Sequence, residues 1–170
     1  MKKYHLMLLM FVQIFSGHIS GQNCIKSIFD VEVRETEYGS RYVDYTNKNW
    51  DNYQSSPIFT SNERSARDLV NFHFISTTKK DSIEQVLFTK EELDSLNRGI
   101  AICKIHIPSG KIVSVSFSIP IQNKVENGKM IRYKNAIEKN LFFNVTLYSD
   151  LKKEGYLIQS FPIFTSSRKQ

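Results

Sequence analysis

The chain lacks the short patterns by which most catalytic sites are spelled out. It holds no CxxC, HxxxH or HExxH, so no local zinc cage and no helix-borne pair of metal ligands is written into it. The GxSxG elbow that exposes a nucleophilic serine is absent, as is a glycine-rich phosphate loop. Acidic residues number 17, but no two of them stand in an apolar setting that would split their acidities for general acid and base work. No metal, no cofactor and no catalytic group is expected on these grounds, and the chain reads as a non-enzyme.

Proline and glycine are also scarce, with 4 and 7 residues, and neither is concentrated anywhere. No proline- or glycine-rich linker, internal repeat or low-complexity tract divides the chain. Long apolar runs are missing except at the start. Met1-Lys2-Lys3 supplies positive charge, LMLLMFVQIF follows from Leu6 to Phe15, and Ser16, Gly17, Ser20 and Gly21 lead out. A charged start, a short apolar core and a small-residue exit make a secretory signal over residues 1–21, and the core is too short to span a bilayer. Residues 22–170 are then one exported domain, large enough for a real hydrophobic core. Its expected address is the periplasm or exterior of a Gram-negative bacterium, with no membrane span after cleavage.

The net charge of +6 falls to +4 once the two lysines of the signal are removed. The remaining basic pairs, Lys79-Lys80, Lys152-Lys153 and Arg168-Lys169, are scattered, as solvated turns would have them. No nucleic-acid partner is expected. Only Cys24 and Cys103 carry thiols. In an oxidising compartment they are candidates for a disulfide, against the alternative of a buried free thiol at Cys103. Asn23 is neither small nor apolar, which argues against lipid attachment at Cys24.

Hydrophobic periodicity predicts an α+β domain: an antiparallel sheet with two or three helices on one face. Phe29, Val31 and Val33 alternate with charged residues in a half-buried strand, Tyr38-Gly39-Ser40 turns the chain, and Arg41–Tyr45 returns. Asn47–Pro57 reads as a loop. Thr60 and Glu63 have capping-box spacing and predict a helix to Val70. Asn71–Ser76 and Ser82–Phe88 read as strands, so that residues 22–87 form a mostly β part. From residue 88 the pattern changes. Thr89 and Glu92 form a second capping box, with Phe88 and Leu93 as a hydrophobic staple, and predict a helix over Lys90–Arg98 that Gly99 terminates. Ile100–Ile107 is a strand with Ala101, Cys103, Ile105 and Ile107 on one face. Pro108-Ser109-Gly110 turns it into a second strand with Val113, Val115, Phe117, Ile119 and Ile121 facing one way and Ser114, Ser116 and Ser118 the other. After Asn127-Gly128, Met130, Tyr133, Ile137 and Leu141 recur at helical spacing, with the helix ending between Phe142 and Val145. A polar connection leads to a last strand, Tyr156–Phe164.

The order from Phe88 to Phe164 is short helix, strand, tight turn, strand, longer helix, strand. With AICKIHIPSGKIVSVSFSI and GYLIQSFPIF in place, it resembles the carboxy-terminal domain of TonB-type energy transducers. Gly110-Lys111-Ile112-Val113 and Pro162-Ile163-Phe164 stand where that family has its glycine turn with a following strand and its final strand. The resemblance covers residues 88–164 and implies an envelope protein built on a similar module. A transducer keeps its first helix in the inner membrane and crosses the periplasm on a proline-rich linker. This chain has neither, so the energy-transducing role does not carry over.

The candidate binding residues are the aromatic set Tyr38, Tyr42, Tyr45, Trp50 and Tyr53, interleaved with asparagine, aspartate and arginine. Such a set suits a protein interface or a glycan, or simply covers the core. The partner expected is an envelope protein or, alternatively, a glycan. His73 and His106 fall in predicted strands. Alternation puts His106 on the face opposite Cys103, which denies that pair a nucleophile–base contact. If Tyr156–Phe164 lies at a sheet edge, it offers a second surface for strand pairing, with Pro162 guarding it.

Overall fold

The computed structural model describes residues 25–54, 70–74, 77–147 and 155–165. The signal, Cys24 and residues 60–69 of the first predicted helix lie outside the described residues. In chain order the elements are β1 (Phe29–Glu35), β2 (Arg41–Asn47), β3 (Val70–Phe74), α1 (Thr77–Leu87), α2 (Lys90–Ser95), β4 (Gly99–His106), β5 (Lys111–Pro120), α3 (Asn127–Asn140), β6 (Phe143–Leu147) and β7 (Tyr156–Ile163). Five strands form one sheet in the order β1-β2-β5-β4-β7, each antiparallel to its neighbour, and β3 pairs with β6 in a separate ribbon. The α+β class and the antiparallel sheet are as the sequence predicts. The helix–strand–turn–strand–helix–strand order after Phe88 is present too, with β6 inserted before β7.

Register lines show how the alternation builds the core. Val31, Tyr45, Phe117, Ala101 and Phe161 lie side by side across the sheet on one face. On that inner face Tyr133 of α3 stacks on Phe117 with ring centroids 5.6 Å apart and planes 10° off parallel. Phe88 stands edge-on to Tyr133 at 5.7 Å and to Phe164 at 5.4 Å. Each such pair adds about 0.5–1.5 kcal/mol beyond its area burial. The α3 residues named by periodicity, Met130, Tyr133, Ile137 and Leu141, are all buried. The Thr89–Glu92 capping box forms in both directions, at 3.2 Å and 2.8 Å, and Phe88 and Leu93 are both buried beside it.

Several expectations are corrected. Residues 82–88 are not a strand: α1 runs through them, because its packed face is Lys80, Ile83, Glu84 and Leu87 at helical spacing while Val86 stands 84% exposed. Ile83, Val86 and Leu87 already stand at i, i+3 and i+4, a helical spacing, but two of the four packed residues are charged, so a count of apolar residues finds only half of the packed face. Lys90 starts its helix as expected, but the helix stops at Ser95 and Leu96 is already extended. Gly99 is no left-handed terminator; it opens β4, where a Cβ would come within 2.9 Å of Ile119. α3 starts at Asn127 and ends at Asn140, and Phe143–Leu147 is strand. Val31 and Val33 are not half-buried core residues. Only Phe29 of β1 is buried, and no described helix reaches the outer end of the sheet.

Two features lock the parts together. Glu84 is fully buried, and its Oε1 accepts from the Tyr133 hydroxyl at 2.6 Å, the Phe164 backbone N–H at 3.0 Å and Lys80 Nζ at 3.4 Å. Lys80 is also held by Thr165 Oγ1 at 3.0 Å and Asp81 at 3.1 Å. Burial, together with the Glu84 charge, pushes the Tyr133 hydroxyl well above its ordinary pKa, so it donates as a neutral phenol. The second lock is the β4–β5 turn. Gly110 has φ +65°, its N–H bonds to His106 O at 2.8 Å, and its carbonyl accepts from Phe143 N–H at 2.9 Å. That last bond joins the end of the large sheet to the ribbon.

A Cβ at Gly110 would sit 1.9 Å from Phe143 O, whereas at Gly39, also at positive φ, nothing lies within 4 Å. Gly110→Ala is therefore expected to destabilise by about 3 kcal/mol, from left-handed strain plus a backbone collision, and Gly39→Ala by about 1 kcal/mol from strain alone. Glu84→Ala leaves the buried Tyr133 hydroxyl and Phe164 N–H without an acceptor and takes one of its two carboxylate partners from Lys80, and is expected to cost about 3–5 kcal/mol, with Glu84→Gln costing less. Urea midpoints of the variants check each value.

Candidate functional site

The β1–β2 hairpin extends past the helix layer as a wing, and its two faces differ. On the inner face Val31 is 44% and Val33 56% exposed. On the outer face the register sets Arg34 opposite Tyr42 and Asp44 opposite Ser118. The Arg34 guanidinium donates to Asp44 Oδ2 at 2.6 Å and to Ser118 Oγ at 3.1 Å, and it lies 5.3 Å from the Tyr42 ring centroid. Ser118 Oγ in turn donates to Asp44 Oδ1 at 2.6 Å. Burial raises the Asp44 carboxyl, but the hydrogen bonds from Arg34 and Ser118 and the Arg34 charge outweigh it and leave the group below its usual value. Beside this network, at the hairpin's turn, Tyr38, Gly39, Ser40, Arg41, Tyr42, Pro120, Ile121 and Gln122 line a shallow cleft of about 330 Å³.

Backbone parity decides what the sheet edges offer. Ile28 O accepts from Lys48 N–H at 3.0 Å and Thr36 N–H donates to Ser40 O at 2.8 Å, so even-numbered residues of β1 bond to β2. The N–H and C=O groups of Phe29, Val31, Val33 and Glu35 consequently point away from β2, to an edge that no described strand covers. At the other end, Ile107 N–H bonds to Gly155 O at 3.0 Å, which makes the odd-numbered residues of β7 face β4. Pro162 therefore takes a donor off the outer edge of β7. The final strand does lie at an edge, and its proline sits where it blunts pairing.

The five aromatic candidates do not form one surface. Tyr38 is 93% exposed at the wing's tip and shares the cleft with Tyr42. Tyr45 points the other way and is buried, edge-on to Phe29 at 5.9 Å. Trp50 and Tyr53 belong to a loop folded over the outer face, where the buried Lys104 ammonium bonds to their carbonyls at 2.5 and 2.9 Å and lies 4.7 Å from the Trp50 ring centroid. Tyr53 also meets Tyr156 at 5.1 Å. The indole is thereby committed to a structural latch.

Cys103 is a free, fully buried thiol, and its expected partner Cys24 lies outside the described residues. Burial and then the nearby Glu138 charge push its pKa well up, the opposite of an activated nucleophile. His106, on the other face as expected, has Nδ1 2.9 Å from Ser109 Oγ. His73 lies in β3, opposite Asn144. Among the described residues no group of three or more His, Cys, Asp and Glu could hold a metal ion. No described helix is long and apolar enough to cross a membrane.

The residues that sequence reasoning missed are the buried charges Lys80, Glu84, Lys104 and Lys134 and the half-buried Glu138. Glu138 fills the gap where β2 leaves β5. Its Oε1 accepts from Val115 N–H at 3.2 Å and Asn47 Nδ2 at 3.4 Å, and Lys134 reaches its Oε2 at 2.7 Å. The only sequence signal for these charges is the i,i+4 spacing of Lys80 with Glu84 and of Lys134 with Glu138.

A carboxyl depressed by folding contributes stability above its unfolded pKa, about 4, and loses that contribution as pH falls through its folded value. The gap in stability between the protein and its Asp44→Asn variant is thus expected to be largest near neutrality and to close in acid. It should stay within about 1 kcal/mol, since solvent screens a half-exposed pair. Urea titrations of both between pH 7 and about pH 2 measure it.

No family model matches the chain. A flagellar hook-length control protein homolog of Buchnera aphidicola subsp. Acyrthosiphon pisum (strain APS) is 32% identical to it over 98 residues, which make up 56% of this chain and 42% of that protein. The chain thus spans less than half the length of this curated relative. Among solved structures, a DUF5043 family protein from Bacteroides uniformis ATCC 8492 superposes with a TM-score of 0.52 at 14% identity, covering 79% of this chain and 85% of the other. What this chain shares with the Bacteroides protein is its fold.

Proposed function

We propose that the protein is an exported, non-catalytic binding module of the bacterial cell envelope that holds another protein through the free edge of its wing. One observation carries this reading: among the described residues, β1 ends the sheet with its outward N–H and C=O groups unpaired and with Val31 and Val33 exposed beside them. Strand addition uses an edge whose outward main-chain groups are free, main-chain bonds giving affinity and alternate side chains specificity. The charged Asp30, Glu32, Arg34 and Glu35 of this edge restrict which strand can pair there. β7 is the other edge and has Ile158 60% exposed, but Pro162 interrupts its row of donors. The apolar run after Lys2-Lys3 supports export. The likeness of residues 88–164 to the TonB carboxy-terminal module supports an envelope setting.

A second reading rests on the cleft. Tyr38 and Tyr42 offer ring faces, and Arg41 and Gln122 offer polar groups beside them, the combination that packs against a sugar's C–H groups and bonds its hydroxyls.

Site-specific photocrosslinking in intact cells separates the two. A crosslinker in place of Val33 is expected to capture a polypeptide, while one in place of Val86, exposed on α1, captures none. A silent Val33 would sink the edge reading. Binding of soluble glycans that is lost in Tyr38→Ala would then establish the other.

A further inference from the structure

We infer that the chain which pairs with β1 is a second copy of this protein, antiparallel across a two-fold axis at Glu32. This rests on the edge reading above and names its partner. The strand reads Phe-Asp-Val-Glu-Val-Arg-Glu over positions 29–35, and its side chains are self-complementary about their centre. With the axis at Glu32, each residue faces the one whose number completes the same sum. Val31 faces Val33 of the second copy twice over, Asp30 faces Arg34 twice, and Phe29 faces Glu35, so all seven residues of the strand are paired.

Parity agrees with that register. Val31 and Val33 point their backbone groups outward, so each Val31–Val33 pair exchanges both main-chain bonds, while Glu32, bonded inward to β2, becomes the closely spaced pair between them. Four valines then continue the apolar inner face across the axis, and the two sheets join into one. The single opposed feature is Glu32 facing its own copy on the exposed outer face. Other registers are poorer. An axis at Val31 sets Asp30 against Glu32 twice, one at Arg34 sets two guanidiniums together, and one at Val33 pairs Glu32 with Arg34 twice but faces both Val31 side chains with Glu35 and matches five strand residues rather than seven. A one-strand contact of this kind buries little area and makes a weak dimer, seen at high local concentration.

The test uses the protein as cells export it. Glu32→Cys is expected to form a disulfide dimer under mild oxidation, since closely spaced partners across antiparallel strands have Cα atoms about 4.5 Å apart, within disulfide range. Val86→Cys, exposed on α1, and the unaltered protein serve as controls. In sedimentation, Glu32→Gln is expected to tighten the dimer about two- to fivefold by removing one like-charge pair. Val33→Pro deletes an outward donor without touching the β1–β2 ladder, so it is expected to abolish the dimer while circular dichroism stays unchanged. Val33→Lys, which puts a charge against Val31, repeats the loss should the proline disturb folding. Sedimentation as a monomer up to about 1 mM overturns the inference. So does a Glu32→Cys disulfide forming no faster than that of Val86→Cys. If Val33 captures a different protein in cells while the purified protein is monomeric, self-pairing fails and the interaction reading stands. A Val33 that captures nothing removes both.

Discussion

The carboxylate of Glu84 is the constraint on which the arrangement of layers depends. It has no exposure, and three donors from three places converge on one of its oxygens: Tyr133 of α3, Lys80 of its own helix and the backbone of Phe164 just past β7. Phe164 is the one described non-glycine residue with positive φ, at 58°, and the Glu84 bond to its N–H helps hold that strained turn. A buried charge of this kind adds little net stability compared with an apolar packing, but it tolerates few alternatives. It fixes α1 against α3 and against the end of β7. The described helix layer packs on β5, the middle strand of the sheet, and among the described residues no helix covers the outer part of β1. The bare wing is a consequence of where the layer is pinned.

Much of the fold is legible in the residues. The β4–β5 hairpin shows as alternation around a proline–glycine turn, except that a shift of register sets Ile112 rather than the expected Val113 opposite Ile105. α3 shows as apolar residues at helical spacing, and α2 as a capping box whose two bonds both form. What stayed hidden has a common cause. α1 packs through Lys80 and Glu84 as well as Ile83 and Leu87, and with half of its packed face charged too few apolar residues remain to mark a helix. β6 is five residues paired with a strand some seventy positions earlier, and nothing local marks it.

The site was legible only in part. Tyr42 and Tyr45 are three apart on a strand, and parity alone separates them onto opposite faces, as observed. The placement of Trp50 over a buried lysine is not readable from sequence, because it depends on which outer-face position happens to carry the amine. Nor is the exposure of Val31 and Val33. Their alternation is that of a core strand, and only the lateral extent of the helix layer decides whether anything covers them.

The burial pattern of β1 bears on how such a protein diversifies. Apart from Phe29, its side chains are exposed, and their loss would open no cavity. Substitutions at the exposed positions of β1 are therefore nearly silent for folding, while those around Glu84 and Gly110 are not. A lineage carrying this fold can rewrite this edge one residue at a time, drifting through neighbouring sequences without passing through an unfolded ancestor.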